Sequence, residues 1–317
     1  MGFDTDSADF FGWCRRHLGA APAAVLFESG HLSRVIGTRL ADGREVVVKI
    51  RPAAARLAAC VRVQGHLAGR GFPCPRPLAG PAPFGPATAA VAATAEEYLP
   101  GGGRLVPWSD APDRFAEVFA ELVALAPPAS ALPTLSPAPP WVGWDHDRPG
   151  CWPVPDDLDT DLNAHPGPAW LDRLAVRVRA RLAELVGSGC RPVVGHSDFE
   201  AQNTRWAGRS CRAVHDWDSV AARPEPILVG AAAAVFTATG APLTEATVDQ
   251  TGQFLAAYGV GRGRPLGRDE KRACWAAGLW VRAFNAKKAW LRAGPDGAAV
   301  LDRLVGEAAE RWHRAGG

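Results

Sequence analysis

Lysine is nearly missing from this chain. Of its 35 basic residues only four are lysine, at positions 49, 271, 287 and 288. Arginine therefore serves wherever either cation would do, and Lys49 stands alone before position 271. An excess of one charge is missing as well: 35 basic against 33 acidic residues give a net charge of +2. That balance makes no electrostatic case for nucleic acid or a membrane surface as partner. No apolar run reaches the roughly 20 residues that a spanning helix needs. The nearest, Pro226 to Ala241, reads as a buried helix. The stretch from Met1 to Phe11 is acidic and lacks the basic and apolar regions of a secretory signal. Seven cysteines form no C-x-x-C pair and show no close Cys/His ligand spacing. An odd, scattered set of this kind fits reduced thiols in a cytoplasm rather than a disulfide framework. No internal repeat is visible. One further gap bears on function: no Asp or Glu occurs from Val46 to Ala95.

What is present centres on Val193-Val194-Gly195-His196-Ser197-Asp198-Phe199-Glu200-Ala201-Gln202-Asn203. Two β-branched valines lead into a turn that carries a histidine, a carboxylate and an amide. A second short strand, Cys211 to Val214, then delivers His215-Asp216-Trp217-Asp218. Phosphoryl transfer needs such a set from a protein: one carboxylate to orient and deprotonate a hydroxyl, and hard oxygen ligands for magnesium on nucleotide phosphates. Asp198 and Asn203 alone read better as an ordinary strand-loop-strand with polar turn residues. Together, at this separation, both motifs favour the chemistry.

The two motifs resemble those of the aminoglycoside phosphotransferase and choline kinase-like branch of the protein-kinase fold. That family writes the first motif His-Gly-Asp-x-x-x-x-Asn and the second Asp-Trp or Asp-Phe with a further acidic residue. Ser197 in place of glycine is a mild departure, because the functional side chains keep their spacing. The resemblance implies an α+β, two-lobed protein-kinase-like fold. A small antiparallel sheet would form the N-terminal lobe (1–97) and a mainly helical C-terminal lobe would follow (98–317). It implies Asp198 as catalytic carboxylate, Asn203 and Asp216 as Mg2+ ligands, and ATP or GTP as phosphoryl donor. Lys49, near the end of the strand Val46 to Ile50, would contact phosphates, a role in which ammonium and guanidinium are not interchangeable. The loop with Ser29, Gly30 and Ser33 would cover the phosphates. Glu97, Tyr98 and Leu99, ahead of Gly101-Gly102-Gly103, would form the hinge beside the base. The acceptor would be a hydroxyl of an aminoglycoside or another small antibiotic or metabolite, with Asp218, Glu225 and Trp217 as candidate contacts. His196 reads as a scaffold for the loop.

One family residue is absent. Kinases pair the strand lysine with a glutamate from the first-lobe helix, and here that helix has none. Strand alternation from Lys49 makes Glu96 or Glu97 the expected substitute, with Gln64 as a neutral neighbour. Two other readings remain open: a nucleotide-binding pseudokinase acting as a partner module, and a metal-dependent hydrolase built on His196, Asp198, Asp216 and Asp218.

Along the rest of the chain, helices are expected at Phe10 to Leu18, Ala53 to Gly69, Ala111 to Ala126 and Ala169 to Val186. Four more follow at Ile227 to Thr239, Thr244 to Tyr258 with Thr244 as cap, Asp269 to Leu291 and Gly297 to His313. Strands are expected at Val25 to Phe27, at Arg34 to Leu40 and Arg44 to Ile50 about the Asp42-Gly43 turn, and at Ala87 to Leu99. The Pro-rich tract 127–168, with Trp141, Trp144 and Trp152, reads as an insertion packed on the second lobe. Its tryptophans either anchor the loop or wall the acceptor. The acidic run at 156–161 suits a cationic acceptor. Arg282, Lys287 and Lys288 read as a solvated face, although they would suit an anionic one.

Overall fold

Alternation along the strand Glu45–Pro52 decides how the first part of the chain is built. Val46, Val48 and Ile50 point to one side and join a buried apolar cluster with Phe10, Trp13, Cys14 and Leu18. Val47, Lys49 and Arg51 point to the other side and are buried as well. The computed structural model describes residues 8–30, 32–86, 88, 90–105, 110–187, 190–240, 244–293 and 298–317. His31, Ala87, Ala241 and Gly297, which the sequence reading assigned to a loop, a strand, a buried run and a helix, lie outside the described residues.

The chain divides into two units. One is Met1–Gly102 with Arg212–Asp218, and the other is Gly103–Cys211 with Ser219–Gly317. The first therefore takes back a short late segment, which no single boundary near Tyr98 would give it.

In the first unit, helix α1 (Ala8–Leu18) precedes strands β1 (Pro22–Gly30), β2 (Arg34–Leu40) and β3 (Glu45–Pro52). Helix α2 (Arg56–Gly69), β4 (Pro77–Pro83) and β5 (Val91–Glu97) complete it, and the antiparallel sheet runs β1-β2-β3-β5-β4. The amphipathic α1 lays Phe10, Trp13, Cys14 and Leu18 on the sheet, which buries its Cys14 thiol and pushes the thiol pKa up to about 12. Helix α2 stops at Arg70 because Gly71, at φ 86°, takes a left-handed conformation that glycine tolerates without penalty.

The second unit is mainly helical: α3 (Ala111–Leu125), α4 (Ala169–Leu185), α5 (Glu225–Val235), α6 (Val248–Gly261), α7 (Arg268–Ala293) and α8 (Ala298–Arg314). Every residue of α5 from Pro226 to Val235 is buried, so this apolar helix lies inside, as its sequence demands. Helices α5 and α7 cross where glycines face backbone: a Cβ on Gly230 would lie 2.1 Å from the Cys274 carbonyl oxygen. Phe115, Phe119, Phe199, Phe236, Phe254 and Tyr258 pack ring against ring nearby. Thr247, not Thr244, caps α6, in a reciprocal capping box with Gln250. A capping box needs Gln or Glu three residues on, and position 247 of Thr244-Glu245-Ala246-Thr247 is followed by one there.

The tract 127–168 consists of short 3-10 turns at Ala129–Ala131, Pro133–Leu135 and Pro140–Val142 joined by irregular chain. Trp152 is buried, stacks on Trp280 at 5.6 Å and donates its indole N–H to Asp172 at 2.7 Å. These contacts anchor the tract to helices α4 and α7.

Candidate functional site

Lys49 sits opposite Thr94 in the β3–β5 register, and Glu96 lies two residues further along the same face. That diagonal is within reach of two long side chains. Lys49 Nζ and Glu96 Oε1 are 2.9 Å apart, both residues being less than a tenth exposed. The expected substitute for the missing helix glutamate is thus Glu96. Helix α2 contributes Gln64, whose side-chain amide donates to Glu96 Oε2 and to the Pro75 carbonyl, each at 2.8 Å. A carboxylate on the neighbouring strand and a neutral amide on the helix together do what one helical glutamate does elsewhere: they fix the lysine stem.

Asp216 belongs to the same unit and has φ 65°, left-handed for a residue with a Cβ. Its turn is tied down on both sides. The Val214 N–H donates to the Pro73 carbonyl at 2.8 Å, and the Trp217 indole N–H donates to the Val214 carbonyl at 2.9 Å. Trp217 also meets Phe72 edge to face at 5.9 Å. Asp218 forms an ion pair with Arg51, the second buried cation of β3. Burial pulls the Arg51 guanidinium down from its ordinary pKa, opposed by the charges of Asp216 and Glu96.

The other first-unit candidates fall at the sheet's ends. Ser29 and Gly30 pair with Val35 and Arg34, so the chain reverses within three residues. Gly30 is required there, since a Cβ would lie 2.6 Å from the Ser33 carbonyl oxygen. Glu97 and Tyr98 donate their N–H groups to the carbonyls of Arg76 and Glu45, at 2.9 and 3.2 Å. Phe27 covers Gly37 and its ring meets Tyr98 at 5.8 Å, an aromatic pair beside the proposed hinge segment that the sequence reading did not anticipate.

In the second unit, β6 (Pro192–His196) pairs antiparallel with β7 (Val220–Pro224), and the loop after β6 is braced throughout. Ser197 donates its N–H and its hydroxyl to the Ser219 carbonyl, at 2.9 and 2.6 Å, so the side chain that replaces the family glycine has a partner of its own. Trp141 donates its indole N–H to the Ser197 carbonyl at 2.8 Å. His196 is fully buried, and its Nδ1 accepts the Asp198 N–H at 3.2 Å, as a loop scaffold should. Asn203 donates its side-chain amide to the Asp198 carbonyl oxygen and to Asp198 Oδ2, at 2.9 and 2.8 Å. That clamp fixes the carboxylate and keeps the amide oxygen, the atom a hard cation takes, outside both bonds.

Glu200 was not singled out by sequence. It is buried, and burial together with the nearby Asp198 charge raises its carboxyl pKa well above the usual range, against a 2.5 Å hydrogen bond from Gln202.

Several sequence expectations need correction. Trp217 is a buried core side chain rather than an open acceptor contact. Glu225 accepts hydrogen bonds from Tyr258 and Arg262, at 2.8 and 2.6 Å, at the start of α5. Arg282 and Lys287 form no solvated face: each is about 1 % exposed, Arg282 beside Glu245 and Glu307, and Lys287 on Asp172 and the His165 carbonyl. Lys288 pairs with Asp157 of the acidic run at 2.7 Å. Such charges are buried because each finds an opposite partner on another element. Among the described residues no three His, Cys, Asp or Glu form a metal-holding group, and no helix is long and apolar enough to cross a membrane.

Residues 24–224 match the family profile described as "Phosphotransferase enzyme family". Among solved structures, the chain is similar to an aminoglycoside phosphotransferase from Alicyclobacillus acidocaldarius. The TM-score is 0.57 at 13 % identity, over 95 % of this chain and 94 % of the other. It is similar to amicoumacin kinase hAmiN, solved with AMP-PNP, Ca2+ and Ami, at 0.58 and 13 % identity over 89 % and 87 %. A fructosamine-3-kinase-like protein from Thermobifida fusca gives 0.53 at 16 %, over 96 % and 97 %. No curated protein matches by sequence. The α+β architecture, a small antiparallel sheet unit and a mainly helical unit, is that of these kinases. With well over half its length matched, the chain belongs to the phosphotransferase enzyme family.

Proposed function

We propose that the protein transfers the γ-phosphoryl group of ATP or GTP to a hydroxyl of a small molecule, with Mg2+ on the nucleotide. The observation that carries this reading is the clamp of Asn203 on Asp198. It holds a carboxylate in one orientation, the geometric condition for accepting a hydroxyl proton. Asp198 takes that proton, and Lys49, steadied by Glu96, holds the donor phosphates. The loop of Ser29, Gly30 and Ser33 covers them, and Glu97, Tyr98 and Leu99 border the base. Asn203 and Asp216 offer one neutral and one charged hard oxygen, a set that suits magnesium when phosphates complete the shell. When bound, the ion neutralises charge that develops on the transferred group. A neighbouring fold that holds AMP-PNP and Ca2+ supports a nucleotide with a divalent cation.

The pairing of Lys49 with Glu96 removes the irregularity that favoured a pseudokinase. A hydrolase built on His196, Asp198, Asp216 and Asp218 would turn over a phosphoester or amide without a nucleotide, so nucleotide dependence separates the two readings. The acceptor is an aminoglycoside, another hydroxylated antibiotic or a metabolite.

The test is acceptor-dependent ADP or GDP release over a panel of hydroxylated antibiotics and amino alcohols. With the best acceptor, Asp198→Asn lowers turnover by about 10²–10⁴ and leaves nucleotide affinity near that of the wild type. Asp216→Ala removes the magnesium-dependent part of nucleotide binding. Turnover of Asp198→Asn within about threefold of wild type would contradict its role.

A further inference from the structure

Strand β3 carries two cations on one face, and only Lys49 has a part in the proposed transfer. Arg51 lies two residues beyond Lys49, is 8 % exposed, and forms an ion pair with Asp218. Three observations on the turn from Asp216 to Asp218 give that pair a purpose. Asp216 sits at φ 65°, a conformation that persists in a non-glycine residue only when its surroundings hold it. The two residues after it are each fixed: Trp217 by its indole bond to the Val214 carbonyl, and Asp218 by the Cys60 thiol on its carbonyl at 3.8 Å and by Arg51 on its carboxylate. Among these ties Arg51 is the only charged one, and the Asp216 charge opposes the burial that lowers its guanidinium pKa.

Arg51 lines a cavity of ≈ 20 Å³ with Lys49, Cys60, Gln64, Glu96 and Asp218, and its guanidinium is already committed to the Asp218 carboxylate. We propose that Arg51 is a positioning residue. By binding Asp218 it fixes the left-handed turn that presents Asp216, and so sets the affinity for the magnesium–nucleotide pair. This deepens the phosphotransferase reading and rests on Asp216 being a magnesium ligand. It also accounts for the acidic residue after the Asp-Trp pair: Asp218 faces inward to β3 rather than outward to the acceptor.

Arg51→Gln, Asp218→Asn and the double variant test it, with a non-hydrolysable ATP analogue titrated by calorimetry with and without Mg2+, and thermal unfolding as control. Each single change leaves a charge without its partner and lowers Tm. The double change removes both charges, and Tm recovers. The expected result is that magnesium-dependent affinity falls about tenfold or more in all three variants, the double included, while magnesium-free affinity stays within about threefold. A purely structural pair would restore affinity together with Tm in the double variant, and that result overturns the proposal. So does tighter binding by Arg51→Gln, which would mark the pair as a latch, and so does an equal loss without Mg2+, which would put Arg51 on the phosphates. Asp216→Asn, run beside them, separates the two claims. If it keeps full magnesium dependence, the reading of Asp216 is wrong and the proposal falls with it. If it loses that dependence, the outcome for Arg51 stands alone.

Discussion

Glu96→Gln is the sharpest single test of how the strand lysine is held. The change keeps the size of the side chain and keeps an amide oxygen to accept the Gln64 bond, so it removes one charge and little else. Lys49 is then left 8 % exposed with no opposite charge at 2.9 Å. Breaking a buried pair by removing one partner costs about 3–5 kcal/mol, and the retained Gln64 contact places this case near 3. Because the chain has two units, whole-molecule unfolding need not be a single step. Amide hydrogen exchange in β3 and β5 reports the sheet's own opening free energy instead. A loss near 3 kcal/mol corresponds to roughly 10²-fold faster exchange, since each 1.4 kcal/mol is tenfold. Glu97→Gln is the internal control. Glu97 is on the opposite face, 3.3 Å from an Arg76 whose side chain is 70 % exposed, and such a surface pair contributes at most about 1 kcal/mol. Its variant should exchange less than about fivefold faster. Equal acceleration in the two variants, or less than about threefold in Glu96→Gln, would refute the assignment of the buried pair.

Two further outcomes concern the helical unit. Gly230→Ala would drive a Cβ to 2.1 Å from the Cys274 backbone oxygen, which cannot swing aside, so overpacking should cost about 1–3 kcal/mol. A thermal scan with Tm unchanged would show that the α5–α7 crossing is looser than described. Glu270 gives a pH dependence with a definite sign. Burial pushes its carboxyl up, but hydrogen bonds from Arg264, Arg262 and the Gly267 N–H outweigh that and bring it down from 4.5 to about 2. Its contribution is therefore complete above the unfolded value near 4.5 and is lost as pH falls toward 2. Glu270→Gln should be less stable than wild type at neutral pH, with the difference closing across that window. A difference that stays constant down to pH 2 would contradict it.

What was legible in the sequence follows from how local each signal is. The candidate catalytic stretch could be read because its parts are five residues apart on one loop: Asp198 and Asn203 touch because the turn between them is short. Glu96 could be reached by one further step, since strand alternation fixes faces once the neighbour of β3 is known. Gln64 was visible as a polar residue on α2, but its two hydrogen bonds, to Pro75 and Glu96, depend on how the helix lies on the sheet. Arg51 was hidden by composition. In a chain that uses arginine for nearly every cation, one more arginine beside the conspicuous Lys49 carries no mark. Its partner Asp218 is 167 residues along the chain, and no sequence periodicity spans such a gap.

The same blindness explains the two opposed hints about the acceptor's charge. The acidic run suggested a cationic acceptor and the positive residues of α7 an anionic one. In the fold these clues meet each other: Asp157 takes Lys288 at 2.7 Å and Arg292 at 2.6 Å, and Lys287 takes Asp172 at 3.0 Å. Glu225 is taken by Arg262, and Asp218 by Arg51. Asp157, Lys287, Lys288, Glu225 and Asp218 are thus committed to internal partners, and a committed charge attracts a ligand only by giving up that partner. On the proposed reading, acceptor preference is then set by shape and hydrogen bonding around Asp198 more than by these charges. An acceptor panel should therefore rank by hydroxyl placement, and affinity should vary little between cationic and neutral members of matched shape. A tenfold or greater preference for the cationic member, lost at high salt, would show that a free carboxylate serves the acceptor after all.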